Sequence, residues 1–272
     1  MAKNVSSYYH VDLQVKEKRK LEKDENGEAR FYEVEKVLFH GKSKYQELLV
    51  FQSTKHGKVA ILDGCLQLTE KDEFAYQEML THLALCSIPN PMKVLLVGGG
   101  DGGILREISR HASAYNKFFP DIVVGYKDPR VQVYIDNGKH AVELADDDIL
   151  QSIAMTLRPG GVVSIPSNNP WSIDSSMEDI ILKCRNIFGG SVNYAWTTVP
   201  LYYNGTIGFL LCCKKGPKVD FKNPINPLGP DDLGVAKGPT RIYNSEFMLL
   251  RFACRRLPRK QLAPKSPEPR PR

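Results

Sequence analysis

Between Gly98 and Gly103 five glycines surround a single acid, Asp101, within the run VLLVGGGDGGILREISRH over residues 94–111. Glycines leave no side chain between backbone and ligand, and a helix opening out of such a turn offers unpaired N–H donors. A plain strand-to-helix connection needs fewer glycines than this. The run therefore suggests a ligand-binding turn with one acid in it. Asp121 lies twenty residues beyond Asp101, where a dinucleotide fingerprint would place its ribose acid, but it follows Pro120 with no β-type run ahead of it.

Such a turn must be held by a strand before it and a helix behind it. Val94 to Val97 predict the strand, and Ile104, Leu105 and Ile108 mark one face of the helix. Upstream, Val34–Phe39, Tyr45–Phe51 and Lys58–Leu62 are β-type runs punctuated by His40-Gly41, His56-Gly57 and Asp63-Gly64, the pattern of consecutive antiparallel hairpins. Thr69-Glu70-Lys71-Asp72 resembles a capping box, and Tyr76, Met79, Leu80 and Leu83 follow at helical spacing until Pro89 and Pro91 forbid continuation.

Downstream, Arg130–Ile135 alternates as a strand and Asp136-Asn137-Gly138 reads as a turn. A helix is expected within 140–157, a strand over Val162–Ile165, and a helix face at Met177, Ile180, Ile181, Cys184 and Phe188. Asn193–Val199 and Ile207–Cys213 form a strand pair with the hairpin signal Asn204-Gly205 between them. A short helix over Ser245–Arg255 completes the expectation.

The chain of 272 residues is 42% hydrophobic and 25% charged, a composition of globular proteins. It shows no run of eighteen apolar residues and opens on no signal segment, so a cytoplasmic protein with no membrane partner is expected. Cys65, Cys86, Cys184, Cys212, Cys213 and Cys254 lack CxxC spacing and read as reduced thiols, with no metal site. The formal charge of +6 is concentrated after Cys254, in a tail whose seven cations face one acid, Glu268. Residues 1–254 are thus formally neutral, which argues against a nucleic-acid face.

Taken together, YQELLVFQS, GKVAILDGCLQLTEKDEFAYQEMLTHL, VLLVGGGDGGILREISRH, LRPGGV, SVNYAWTTVPLYYNGTIGFLLC, FKNPINP and YNSE resemble the polyamine aminopropyltransferases, the spermidine and spermine synthases, and the putrescine N-methyltransferases close to them. The likeness runs in order from about Glu33 to Phe252. It implies an α/β fold: a Rossmann-like, methyltransferase-type sheet with a small N-terminal antiparallel β domain. The domains expected are a flexible charged arm (1–30), the β domain and linking helix (31–90), the Rossmann-like catalytic domain (91–254) and a basic, proline-rich tail (255–272). It also implies a homo-oligomer, decarboxylated S-adenosylmethionine as co-substrate, and no cofactor or metal.

Carried over by position, Gln46, Gln77, Asp101, Gly99, Gly100, Asn137 and Gly138 would contact the donor, and Tyr76 and Tyr202 the amine acceptor. An acid at Asp101 suits the donor's ammonium tail. The departures are equally specific. The family's second strand and ribose acid are absent between Ser113 and Tyr115, and Asn137 stands where the family has an aspartate. The segment with the proton-accepting aspartate is missing between Asp148 and Ile149. Pro166 and Asn168 replace a glutamine and a glutamate, and Ile173 a histidine. Loss of a positioned base typically costs about 10² to 10⁴ in rate. The expected function is aminopropyl transfer to putrescine or spermidine, impaired in this chain. The alternatives are a catalytically dead member acting as a binding or oligomer partner, and a putrescine N-methyltransferase.

Overall fold

The computed structural model describes residues 10–12, 19–23, 29–44, 46–111, 147–168, 177–202, 205–229, 231–233 and 238–244. An antiparallel meander comes first: β1 (His10–Asp12), β2 (Arg19–Lys23), β3 (Ala29–Lys42), β4 (Glu47–Ser53), β5 (Gly57–Leu62) and β6 (Cys65–Thr69) pair in sequence order. Period-two alternation sends Leu49, Phe51, Val59 and Ile61 to one face, where they bury with Tyr32. Asp63 and Gly64 both take positive φ, 49° and 81°, and so make the two-residue link that pairs Leu62 with Cys65.

Two expectations are corrected here. The charged arm over 1–30 contains β1 and β2, because the long strand β3 offers a free row of backbone donors and acceptors, and pairing along it needs no apolar face. The capping box is displaced too. Asp72, not Thr69, precedes helix α1 (Glu73–Leu85), and its carboxylate makes no cap bond. One oxygen instead accepts the Thr69 hydroxyl at 2.7 Å and the other the Leu201 N–H at 3.0 Å.

α1 is buried almost all round, and Met79, Leu80, Leu83 and Cys86 share a core with Ile104, Ala195, Phe209, Leu211 and Phe221. After the glycine turn come α2 (Gly103–Ile108) and a 3₁₀ turn, Ser109–His111. Then follow α3 (Asp147–Thr156), β7 (Val162–Ser167), α4 (Met177–Phe188), β8 (Gly189–Thr198) and β9 (Thr206–Lys214). The helix expected within 140–157 is described from Asp147 onward, and it runs unbroken across Asp148–Ile149.

The second sheet has the order β7-β9-β8, with β9 antiparallel to both neighbours. β7 and β8 are therefore parallel, joined by α4, with β9 inserted between them. α3 and α4 cover one face through Leu150, Ala154, Cys184 and Phe188, while α1 covers the other.

The strand expected at Val94–Val97 does not form, and this is the main correction. Val94, Leu95 and Val97 are 43%, 73% and 61% exposed. In a doubly wound sheet the first strand lies between the second and fourth. Among the described residues no strand pairs with this apolar run. The Arg130–Ile135 strand, the turn at Asn137-Gly138 and the Ser245–Arg255 helix lie outside the described residues.

Candidate functional site

The glycine turn keeps its shape without the strand. Gly98, Gly99 and Gly102 have φ of 85°, 69° and 77°, a region that costs side-chain-bearing residues strain. The Gly102 N–H donates to the Gly99 carbonyl at 3.0 Å, which closes the loop. Asp101 then turns back on the chain: one carboxylate oxygen accepts the Gly103 N–H at 2.9 Å and the other the Gln77 amide at 3.1 Å.

Gln77 belongs to α1 and is almost fully buried, so α1 fixes the loop from behind. A Cβ on Gly103 would run into the Gln77 amide, which accounts for glycine there. The amide's orientation is set by Arg106, whose guanidinium donates to the Gln77 carbonyl at 2.8 Å. Arg106 in turn grips the Glu73 carboxylate through two bonds, 3.1 and 3.0 Å, and Glu107 at 2.7 Å. Burial opposes its charge, but these two carboxylates outweigh it and raise the guanidinium's pKa further.

One residue before Gln77, Tyr76 points from α1 toward β9. Its ring lies 6.0 Å from Tyr202 and 6.1 Å from Phe209. Tyr202 sits in the β8–β9 connection, held by the Asp72 bond to Leu201 and by its own hydroxyl donating to the Gln67 carbonyl at 3.3 Å. Burial, helped by the charge of Asp101, pushes the Tyr76 phenol up to about 12. Burial likewise raises Tyr202, with Tyr76, Asp72 and Asp101 adding to it. Both hydroxyls are thus protonated donors at neutral pH.

The expected donor-side pair Gln77 and Asp101 and acceptor-side pair Tyr76 and Tyr202 therefore meet across one turn of α1, with Gly99 and Gly100 in the adjoining loop. Gln46 is placed in the β3–β4 connection, exposed, with its backbone bonded to Ser43. Asn137 and Gly138 lie outside the described residues. Pro166 occupies β7 opposite Phe209, and the Asn168 carbonyl accepts the Tyr194 hydroxyl at 2.7 Å.

A polar cluster behind the loop is not anticipated by the sequence reading. Glu107, 1% exposed, accepts from Arg106, from Arg110 at 2.5 Å and from His82 at 3.1 Å. Burial works against its ionisation, yet the bonds from His82 and Arg106 hold its carboxyl down at about 2. Glu78, also buried, accepts the backbone N–H groups of Arg241, Ile242 and Tyr243 at 2.9 to 3.0 Å and so ties segment 238–244 to α1. A signal for it exists: Glu78 and His82 stand four apart on a helix otherwise built of core residues.

The family described as "Spermidine synthase tetramerisation domain" matches residues 20–70, and "Spermine/spermidine synthase domain" matches 73–149 and 139–223. Spermidine synthase 2 of Datura stramonium is 50% identical, over 84% of this chain and 86% of its own. The chain belongs to the spermidine and spermine synthase family. Spermidine synthase of Solanum lycopersicum is 49% identical, over 84% of this chain and 80% of its own.

The Datura alignment spans 272 positions while using 84% of a chain of 272 residues, so the relative carries internal residues with no counterpart here. The synthase-domain match also breaks into two segments at 139–149, where the second gap falls. Among solved structures, a spermidine synthase from Thermotoga maritima superposes with a TM-score of 0.68 at 23% identity, covering 94% of this chain and 93% of that one. A spermidine synthase in complex with the transition-state analogue AdoDATO gives 0.68 at 24%, covering 94% of each. The fold is the Rossmann-like, methyltransferase-type α/β fold with an N-terminal antiparallel β sheet. Among the described residues no helix is long and apolar enough to cross a membrane.

Proposed function

We propose that this chain is a polyamine aminopropyltransferase-family protein that retains the donor-binding turn and is impaired in transfer. The observation that carries the first half is the Asp101–Gln77 bond, locked by Arg106, directly beside the Tyr76–Tyr202 pair. Each carboxylate oxygen accepts more than one bond, so Asp101 can still take a charge-assisted bond from the ammonium tail of decarboxylated S-adenosylmethionine. The two protonated tyrosines supply an aromatic wall and hydroxyl donors for an aliphatic amine.

In the reaction proposed, the amine nitrogen of putrescine or spermidine attacks the carbon next to the sulfonium, and methylthioadenosine leaves with the C–S bonding pair. The attacking nitrogen must shed a proton. The segment carrying the family's acceptor for it is missing between Asp148 and Ile149, where α3 runs straight through. Donor binding with little turnover follows. The Asp101 carboxylate also disfavours a methionine carboxylate nearby, which counts against N-methylation from ordinary S-adenosylmethionine.

A second role, as a binding partner within oligomers of this chain or an active relative, is favoured by the match of residues 20–70 to the tetramerisation domain. Calorimetric titration with decarboxylated S-adenosylmethionine tests the donor site: a saturable heat at one equivalent is expected. No heat at millimolar ligand would remove the proposal.

A further inference from the structure

Behind the glycine turn, three side chains converge that the aminopropyl transfer does not use. His82 and Cys86 stand four residues apart on one face at the end of α1, and His111 closes the 3₁₀ turn after α2. One ligand atom from each lies within 4.8 Å of the others. His82 Nδ1 and His111 Nε2 share a hydrogen bond at 3.0 Å, the proton of which an ion in the site would displace. We propose that His82, Cys86 and His111 form a binding site for a divalent zinc-like ion.

The surroundings are those that such a site needs. His82 is fully buried, and its other nitrogen, Nε2, faces the Glu107 carboxylate at 3.1 Å. A carboxylate behind a ligating imidazole fixes the tautomer and leaves Nδ1 as the lone pair aimed at the ion. Cys86 is buried in the same core as Tyr243. His111 faces His82 through its Nε2. Its Nδ1 is buried and has no partner among the described residues.

Two nitrogens and one sulfur suit a tetrahedral borderline-soft ion, with a water in the fourth position. Zinc–nitrogen bonds of about 2.0–2.1 Å in tetrahedral geometry require the imidazole nitrogens to part by a few tenths of an ångström. Binding releases the thiol proton to solvent and displaces the proton that His111 Nε2 shares with His82 Nδ1, which moves to His111 Nδ1. The Cys86 thiolate cancels one of the ion's two charges, and Glu107 holds His82 while pairing with Arg106 and Arg110.

The site is tested on the full chain with Co²⁺ as a spectroscopic probe and Zn²⁺ as competitor. One equivalent of Co²⁺ should give tetrahedral ligand-field bands and a thiolate-to-cobalt charge-transfer band, both displaced by Zn²⁺. Cys86→Ser should abolish the charge-transfer band, while Cys65→Ser keeps it. His111→Ala, on a separate and less buried element, should weaken Co²⁺ binding more than tenfold and serves alone if Cys86→Ser does not fold. Absence of a charge-transfer band in the unsubstituted chain, or undiminished affinity in folded His111→Ala, overturns the proposal.

Discussion

Asp101 carries two loads, and a single substitution separates them. Asn at 101 keeps an oxygen for the Gly103 N–H but removes the charge offered to a donor ammonium. A hydrogen bond to a charged group contributes about 1.5–3 kcal/mol. Asp101→Asn should therefore weaken donor binding by about tenfold or more, by calorimetry, and cost about 1–3 kcal/mol of stability, because its amide nitrogen then faces the buried Gln77 donor. Glu107 is the opposite case, a structural hub. Arg110 is 4% exposed and its side chain meets Glu107 at 2.5 Å. Removing that carboxylate strands a buried cation, at a cost of about 3–5 kcal/mol. Urea unfolding of Glu107→Ala should show a loss of that size, and Glu107→Gln a smaller one.

At the scale of elements, local pattern suffices wherever an element's partners are close in sequence. The strands β3 to β5, the helix α1 and the β8–β9 pair fall close to where alternation and helical spacing place them, and the turn after β5 falls at Asp63-Gly64. Val94–Val97 falls outside that rule, because a central parallel strand exists only through neighbours distant in sequence. Pro166 fits the same picture. A residue without an N–H is tolerated in β7 because β7 is an edge strand among the described residues. Of the candidate site, the residues on α1 and the glycine turn are legible from motif. The Arg106–Glu73–Gln77 and Glu107 networks are not, since nothing local announces which buried charges will meet. The exposed run makes its own prediction. Leu95→Lys in a packed central strand would cost several kcal/mol, but here the unfolding free energy should stay within about 0.5 kcal/mol, and solubility should rise as an apolar side chain leaves the surface.

For the whole molecule, what remains is a family scaffold whose two halves have fared differently. The N-terminal meander, α1 and the β7-β9-β8 sheet keep their cores, and the glycine turn rests on α1 rather than on a strand of its own. In the function we propose, the gaps fall where a proton acceptor and a ribose anchor would stand. A ligand turn retained without efficient chemistry is what we propose. The direct measurement is product analysis after incubating the full chain with decarboxylated S-adenosylmethionine and either putrescine or spermidine, beside the Datura spermidine synthase 2 that it resembles. Turnover at least about a hundredfold below the relative is the expected result, given what a lost base costs. Methylthioadenosine and polyamine formed at a comparable rate would contradict it.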